Sequence, residues 1–293
     1  MEEIICTENL TKFYGKIKGI EHVDLRVNRG EIFGFLGPNG AGKTTTIRLL
    51  MDLIKPTSGT AEIFGLDCQK DSLKIRKRIG YIPGDLRLYE FMSGEKFLQF
   101  ISSLRTRKPV LTDTLLNRFD VTVNRKIKGF SMGMKQKLGI VQAFMHDPEL
   151  VIMDEPTLGL DPLMQKEFYT FLKEEQEKGR TFFMSSHILS EVEKVSERVG
   201  IIKEGTIVAV EDVDSLRKKS GKVMEVEFAE DITEKDLDIP EITQVSIEGH
   251  TAHFRAMGDM DTVIKHVSQY TIKDVTAREL SVEDMFMHYY EGE

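Results

Sequence analysis

The 293-residue chain carries 40 Lys and Arg against 48 Asp and Glu, with 40% hydrophobic and 30% charged residues. That composition excludes a disordered or fibrous chain and suits about two globular domains, while the net charge of −8 is the wrong sign for a duplex-binding protein, so no nucleic-acid partner is expected. Two cysteines, Cys6 and Cys68, cannot frame a disulfide-stapled fold and have no second metal ligand nearby in sequence, so a reducing compartment and no zinc site are expected.

Ile4-Ile5-Cys6 and His22 to Val27 alternate apolar and polar residues and predict strands in a β region over residues 1 to 35. Between them stand Phe13-Tyr14-Gly15. Core packing is the ordinary role for such rings, but Tyr14 tolerates partial exposure and is a candidate to stack on a base. Glu31 to Leu36 reads as a short buried strand, and Thr45 to Met51 as a helix with an apolar stripe. Between these two lies Gly37-Pro38-Asn39-Gly40-Ala41-Gly42-Lys43-Thr44, which fits G-x-x-x-x-G-K-[ST]. Glycines there let successive backbone N–H groups point at one spot, and the helix N-terminus adds partial positive charge to it. Lys43 supplies a full charge for β- and γ-phosphates, and the Thr44 hydroxyl can bind Mg²⁺.

Lys55 to Gly59 is a turn, Thr60 to Phe64 a strand, and Ile79 to Ile82 a strand stopped by Pro83-Gly84. From Arg87 to Asp147 the period becomes helical. Phe97, Leu98, Ile101 and Leu104 share one face, as do Leu115, Leu116 and Phe119. Leu150 to Met153 is dense enough for a central parallel strand, and Asp154-Glu155 follow it at once. Asp161 caps a helix opened by Pro162, with Phe168, Phe171 and Leu172 inward and Gly179 closing it. Thr181 to Ser185 is a strand ending at Ser186-His187, and Val199 to Lys203 pairs with Thr206 to Val210 about Glu204-Gly205.

Beyond about Ser220 the texture changes. Strands near 224 to 228, 242 to 247, 251 to 256 and 271 to 277, with helices near 233 to 237 and 259 to 267, give the split β-α-β-β-α-β order. Ser281 to Asp284 reads as a capping box before a last helix through Tyr290. The expected division is residues 1 to 220, with a helical part at about 87 to 147, and a small α+β domain at 221 to 293.

Asp154 and Glu155 sit at the carboxyl edge of a parallel strand, where open α/β sheets bind ligands. Two adjacent carboxylates there suit different tasks: Asp154 to hold Mg²⁺, Glu155 to orient and deprotonate a water.

With these residues placed, Asp154-Glu155-Pro156-Thr157-Leu158-Gly159-Leu160-Asp161 resembles the Walker B glutamate and D-loop of ATP-binding cassette (ABC) ATPases. His187 is similar to their switch histidine, and Phe130-Ser131-Met132-Gly133-Met134 stands where their Leu-Ser-Gly-Gly-Gln signature belongs. The motif order matches over roughly Ile4 to Val210. The resemblance implies an α/β P-loop NTPase cassette: a mixed-sheet core, an antiparallel β subdomain, a helical subdomain, and here a small α+β C-terminal domain. It implies ATP and Mg²⁺ as cofactors. Tyr14, Gly37, Asn39, Gly40, Ala41, Gly42, Lys43, Thr44 and Thr45 would hold the nucleotide, Thr44 and Asp154 the metal, and Glu155, His187 and Lys43 would carry hydrolysis. Ser131, capping its helix, would with Gly133 and Asp161 face the nucleotide of a second subunit.

Two departures stand out. Met132 and Met134 replace a glycine and the glutamine of the signature, a form that resembles ABC-2-type exporters. After Gly80-Tyr81-Ile82-Pro83 the chain has Gly84 and Asp85 where the family has its Q-loop glutamine; Asp85 or a water is expected to substitute. Leu280 to Phe286 resembles the tails of the same exporters. No apolar run approaches the ~20 residues that span a bilayer, and Met1-Glu2-Glu3 is wrong for a leader peptide. The resemblance implies as partners a separately encoded integral-membrane permease, contacting Gly84 to Phe100, and a second nucleotide-binding subunit, a homodimer being the simplest. The expected location is the cytoplasmic face of the membrane. A soluble ABC ATPase of DNA repair or translation is the alternative, weakened by one cassette and no sustained heptads. A P-loop GTPase lacks its Asn-Lys-x-Asp.

Overall fold

A computed structural model describes residues 2 to 215 and 222 to 279. The chain packs as two compact units, Met1–Val210 and Glu211–Glu293; the sequence reading drew its line at residue 220.

In the first unit, β1 (Glu3–Tyr14) and β2 (Ile17–Asn28) form a long hairpin about Gly15, whose φ is +63°. Both strands outrun their predicted cores. Register shifts along the pair break the alternation that the period-2 reading follows. With β4 (Ser58–Ile63) and β5 (Leu66–Asp67) they make an antiparallel sheet ordered β2-β1-β4-β5.

The second sheet holds the site. Strands β3 (Ile32–Leu36), β6 (Ile79–Ile82), β7 (Leu150–Asp154), β8 (Thr181–Ser186), β9 (Arg198–Lys203) and β10 (Thr206–Asp212) are ordered β10-β9-β3-β8-β7-β6. From β9 through β6 the pairing is parallel. All residues of β3, β7 and β8 are buried, as a sheet covered on both faces requires. Phe33 stacks on Phe183 across β3 and β8 at 5.9 Å between ring centroids. Residue pairs Leu36–Ser186 and Asp154–Ser185 lie in register, so the carboxyl ends of β3, β7 and β8 open on one edge.

Helix α1 (Lys43–Leu50) follows β3, and α2 (Ser72–Arg76) precedes β6. Helices α3 (Gly94–Ser103), α4 (Thr112–Arg118) and α5 (Met132–Phe144) fill the span between β6 and β7, while α6 (Pro162–Glu177) and α7 (Leu189–Val192) flank β8. Phe97 and Leu98 are buried as expected, but Leu104 lies past the end of α3 and is exposed. Its spacing matched the stripe because periodicity persists where the helix does not.

His146, just past α5, is 5% exposed, and neither ring nitrogen has a hydrogen-bond partner among the described residues. Burial first, then the Arg105 and Arg107 charges, hold its pKa below the ordinary value. The unfolded chain therefore binds a proton near pH ~6.5 that the folded chain refuses. Stability is full above that pH and falls as pH drops toward the lower folded value. We expect His146→Leu to flatten this dependence, losing less urea resistance than wild type between pH 7.5 and 5.5. Equal losses in both proteins would refute it.

The second unit is an antiparallel sheet of β11 (Lys222–Phe228), β12 (Ile242–Glu248), β13 (Thr251–Ala256) and β14 (Ile272–Glu279), ordered β12-β13-β11-β14. A 3₁₀ turn at Glu234–Leu237 and helix α8 (Met260–Val267) join Val226, Phe228 and Phe254 in its core. This is the split topology expected from the element order. The expected helix after Ser281 and the Leu280 to Phe286 tail lie outside the described residues.

Candidate functional site

The edge where β3, β7 and β8 end is a cleft of about 550 Å³. Tyr14, Asn39, Gly40, Gly42, Lys43, Thr44 and Thr45 line it, with Asp154 and Glu155 opposite. Gly37 and Ala41 do not; Ala41 is buried, its N–H bonded to the Pro38 carbonyl at 3.1 Å. The turn into α1 depends on Gly42. Its φ is +112°, and a Cβ there would stand 2.6 Å from Ile20 Cγ2, so no other residue fits without displacing the hairpin.

Lys43 is 5% exposed. Its Nζ donates to the Gly37 carbonyl at 2.6 Å and stands 3.3 Å from Glu155 Oε1. That carboxylate oxygen is buried and accepts no hydrogen bond from the described residues. Glu155 Oε2 meets His187 Nδ1 at 2.9 Å. The Glu155 backbone is left-handed, at φ +49°, and its N–H donates to the Ser185 carbonyl at 3.2 Å. A strand running on would turn the side chain away; this turn aims it into the cleft. Such a non-glycine φ costs of order 1–3 kcal/mol and persists only where neighbours enforce it.

Asp154 is 2% exposed. Its Oδ1 accepts the Ser185 hydroxyl at 2.5 Å and its Oδ2 the Thr44 hydroxyl at 2.7 Å. Two hard oxygen donors from different elements therefore converge on one point, the donor set that a Mg²⁺ site uses. The Tyr81 phenol is pushed up to about 12, by burial first and then by the Asp154 charge.

Sequence reading missed Lys18, Arg48 and Ser185. Lys18 and Arg48 also line the cleft, and with Lys43 they give it three cations, which suits a polyphosphate. Arg48 was findable, one helical turn beyond Thr44; Lys18 was not, because only the hairpin's folding brings it there.

The ABC transporter family model matches residues 20–158. The bacitracin transport ATP-binding protein BcrA of Bacillus licheniformis is 39% identical over 100% of this chain and 99% of its own length. The chain belongs to the ABC transporter ATP-binding proteins. The Enterococcus faecalis BcrA protein is 37% identical over 78% of this chain and 76% of its own. A solved ATP-binding subunit of an ABC transporter superposes with a TM-score of 0.68 at 32% identity, covering 73% of this chain and 92% of that one. The chain is thus an ATP-binding, ATP-hydrolysing subunit of a transport system.

Ser131, Gly133 and Asp161 of this ABC ATPase also stand off the cleft wall, and His187 reaches it through its contact with Glu155. Ser131 caps α5 by accepting the Met134 N–H at 3.2 Å, and Asp161 caps α6 by accepting the Met164 N–H at 3.0 Å. Gly133 lies against the D-loop: a Cβ there would stand 2.7 Å from the Gly159 carbonyl oxygen. Met132, 57% exposed, covers Gly159 from the other side. At the Q-loop, a Cβ on Gly84 would stand 3.0 Å from Asp154 Oδ2, so the backbone approaches the carboxylate closely. Asp85 lines the cleft, but its carboxylate accepts Arg87 Nε at 2.8 Å.

Proposed function

We propose that this ATPase subunit powers export through a separately encoded membrane permease, as one of two cassettes that close over two nucleotides. One observation carries the reading. Lys43, Thr44, Asp154 and Glu155 line one cleft, with His187 against Glu155 Oε2 at 2.9 Å, while Ser131, Gly133 and Asp161 stand off its wall, the helix starts capped by Ser131 and Asp161 being exposed. Each chain then supplies one half of two sites. Among the described residues no helix is long and apolar enough to cross a membrane, which fits a permease on another chain and a place at the membrane's inner face. Bacitracin, named for two relatives, is the first substrate to test.

Thr44 and Asp154 would hold Mg²⁺, which would neutralise phosphate charge. Lys43 would leave the Gly37 carbonyl for the β- and γ-phosphates. Tyr14, 44% exposed at the cleft, would stack on the base. Glu155 would take the proton of the attacking water while His187 holds its carboxylate in place. Asp85, at the cleft rim, would stand in for the missing glutamine once released from Arg87.

The test is purification from detergent-solubilised membranes of the native host. A multi-span protein should accompany the chain and raise its ATPase rate. Asp85→Ala should lower that stimulated rate and raise the Mg²⁺ concentration it needs. No co-purifying membrane protein would end the reading of a separately encoded permease partner, and an unchanged Mg²⁺ requirement would end the role of Asp85.

A further inference from the structure

The Glu155–His187 contact has a second bridge beneath it. Glu191 of α7 is 7% exposed, and its Oε2 accepts the Thr157 hydroxyl at 2.9 Å and the Ser186 hydroxyl at 3.0 Å. Thr157 and Ser186 are themselves 4% and 0% exposed. Ser186 Oγ also accepts the Ile188 N–H at 3.0 Å. Thr157 follows Glu155 by two residues and Ser186 immediately precedes His187. One buried carboxylate therefore ties together the two segments that carry the Glu155–His187 pair.

A carboxylate taken out of water is costly unless hydrogen-bonded, and hydroxyls donating to a charged acceptor make bonds roughly twice as strong as neutral ones. The arrangement thus resists relative movement of the two segments. The Glu155 turn needs that resistance, because its left-handed backbone persists only where its surroundings enforce it. We propose that Glu191 is a positioning residue for hydrolysis: it fixes the Glu155 turn against the His187 strand end, so that these two side chains meet in one geometry. The proposal deepens the reading of Glu155 and His187 above and rests on it. Through Thr157 it also links the Asp154 to Asp161 stretch to the segment that carries His187.

Turnover and nucleotide affinity of the full chain test it, with Glu191→Ala, Glu191→Gln, Thr157→Val and Ser186→Ala. We expect Glu191→Ala and Glu191→Gln to lower kcat at least tenfold, with KM for ATP and Kd for a fluorescent ATP analogue within twofold of wild type. Thr157→Val should cost less alone, and should cost nothing further in Glu191→Gln, because residues of one network are not additive. A merely structural role would instead move Tm, kcat and affinity together. Should Glu191→Ala fail to fold, Glu191→Gln and Thr157→Val decide. A kcat within twofold of wild type, or additive losses in the double variant, would overturn the proposal. Active wild type with inactive Glu155→Gln, measured alongside, establishes the underlying reading separately. If Glu155→Gln keeps its turnover, that reading fails and takes the Glu191 role with it.

Discussion

Glu155→Gln is expected to bind ATP at least as tightly as wild type and to hydrolyse it ~10²–10⁴-fold more slowly, the usual weight of a general base. The amide keeps the size and the place of the side chain, which His187 touches at 2.9 Å. What it loses is basicity. The carboxylate oxygen nearer Lys43 is buried and accepts no hydrogen bond from the described residues, so it has the capacity to take a proton from a water placed there. Removing the Glu155 charge also leaves Lys43 without its anionic neighbour, which favours the phosphate over it. Retained ATP should therefore accumulate in the variant. Single-turnover hydrolysis beside equilibrium nucleotide binding separates the two effects. Turnover within a few-fold of wild type would remove Glu155 from the role of base.

Lys43→Ala is expected to act on the other step. Its ammonium is held at the mouth of the glycine loop by the Gly37 carbonyl, at 2.6 Å, where an incoming phosphate would compete for it. A hydrogen bond to a charged group contributes about 1.5–3 kcal/mol, which corresponds to roughly 10- to 100-fold in affinity. ATP binding should weaken by that factor while the fold persists, because the loop's course is set by Gly42 and by the sheet edge. Titration with a fluorescent nucleotide measures it. An unchanged Kd together with lost turnover would make Lys43 a purely catalytic group and refute the binding role.

Much of this was legible before folding was considered. The glycine loop between a buried strand and a helix is local chemistry: Gly42 is required by its own φ of +112°, and the helix begins at the next residue, Lys43. The carboxylates at the end of β7, the Asp161-Pro162 helix start and the Glu204-Gly205 turn are likewise written in adjacent residues. Even the split order of the second unit followed from the sequence of short periodic segments. These features depend on backbone geometry over a few residues, which side-chain type controls directly.

Tertiary structure alone decided what meets what. The hydroxyl of Thr44 and the carboxylate of Asp154 are 110 residues apart, and only the parallel placing of β3, β8 and β7 brings them to 2.7 Å. Glu155 points into the cleft because a left-handed turn, unmarked by any glycine, is enforced by Ser185 on the next strand. Lys18 reaches the cleft through the hairpin, and Glu191 finds Thr157 across 34 residues. No local preference encodes such contacts. They are fixed by which strands lie side by side, and that is settled by the burial of apolar strands such as β3, β7 and β8 on both faces of one sheet.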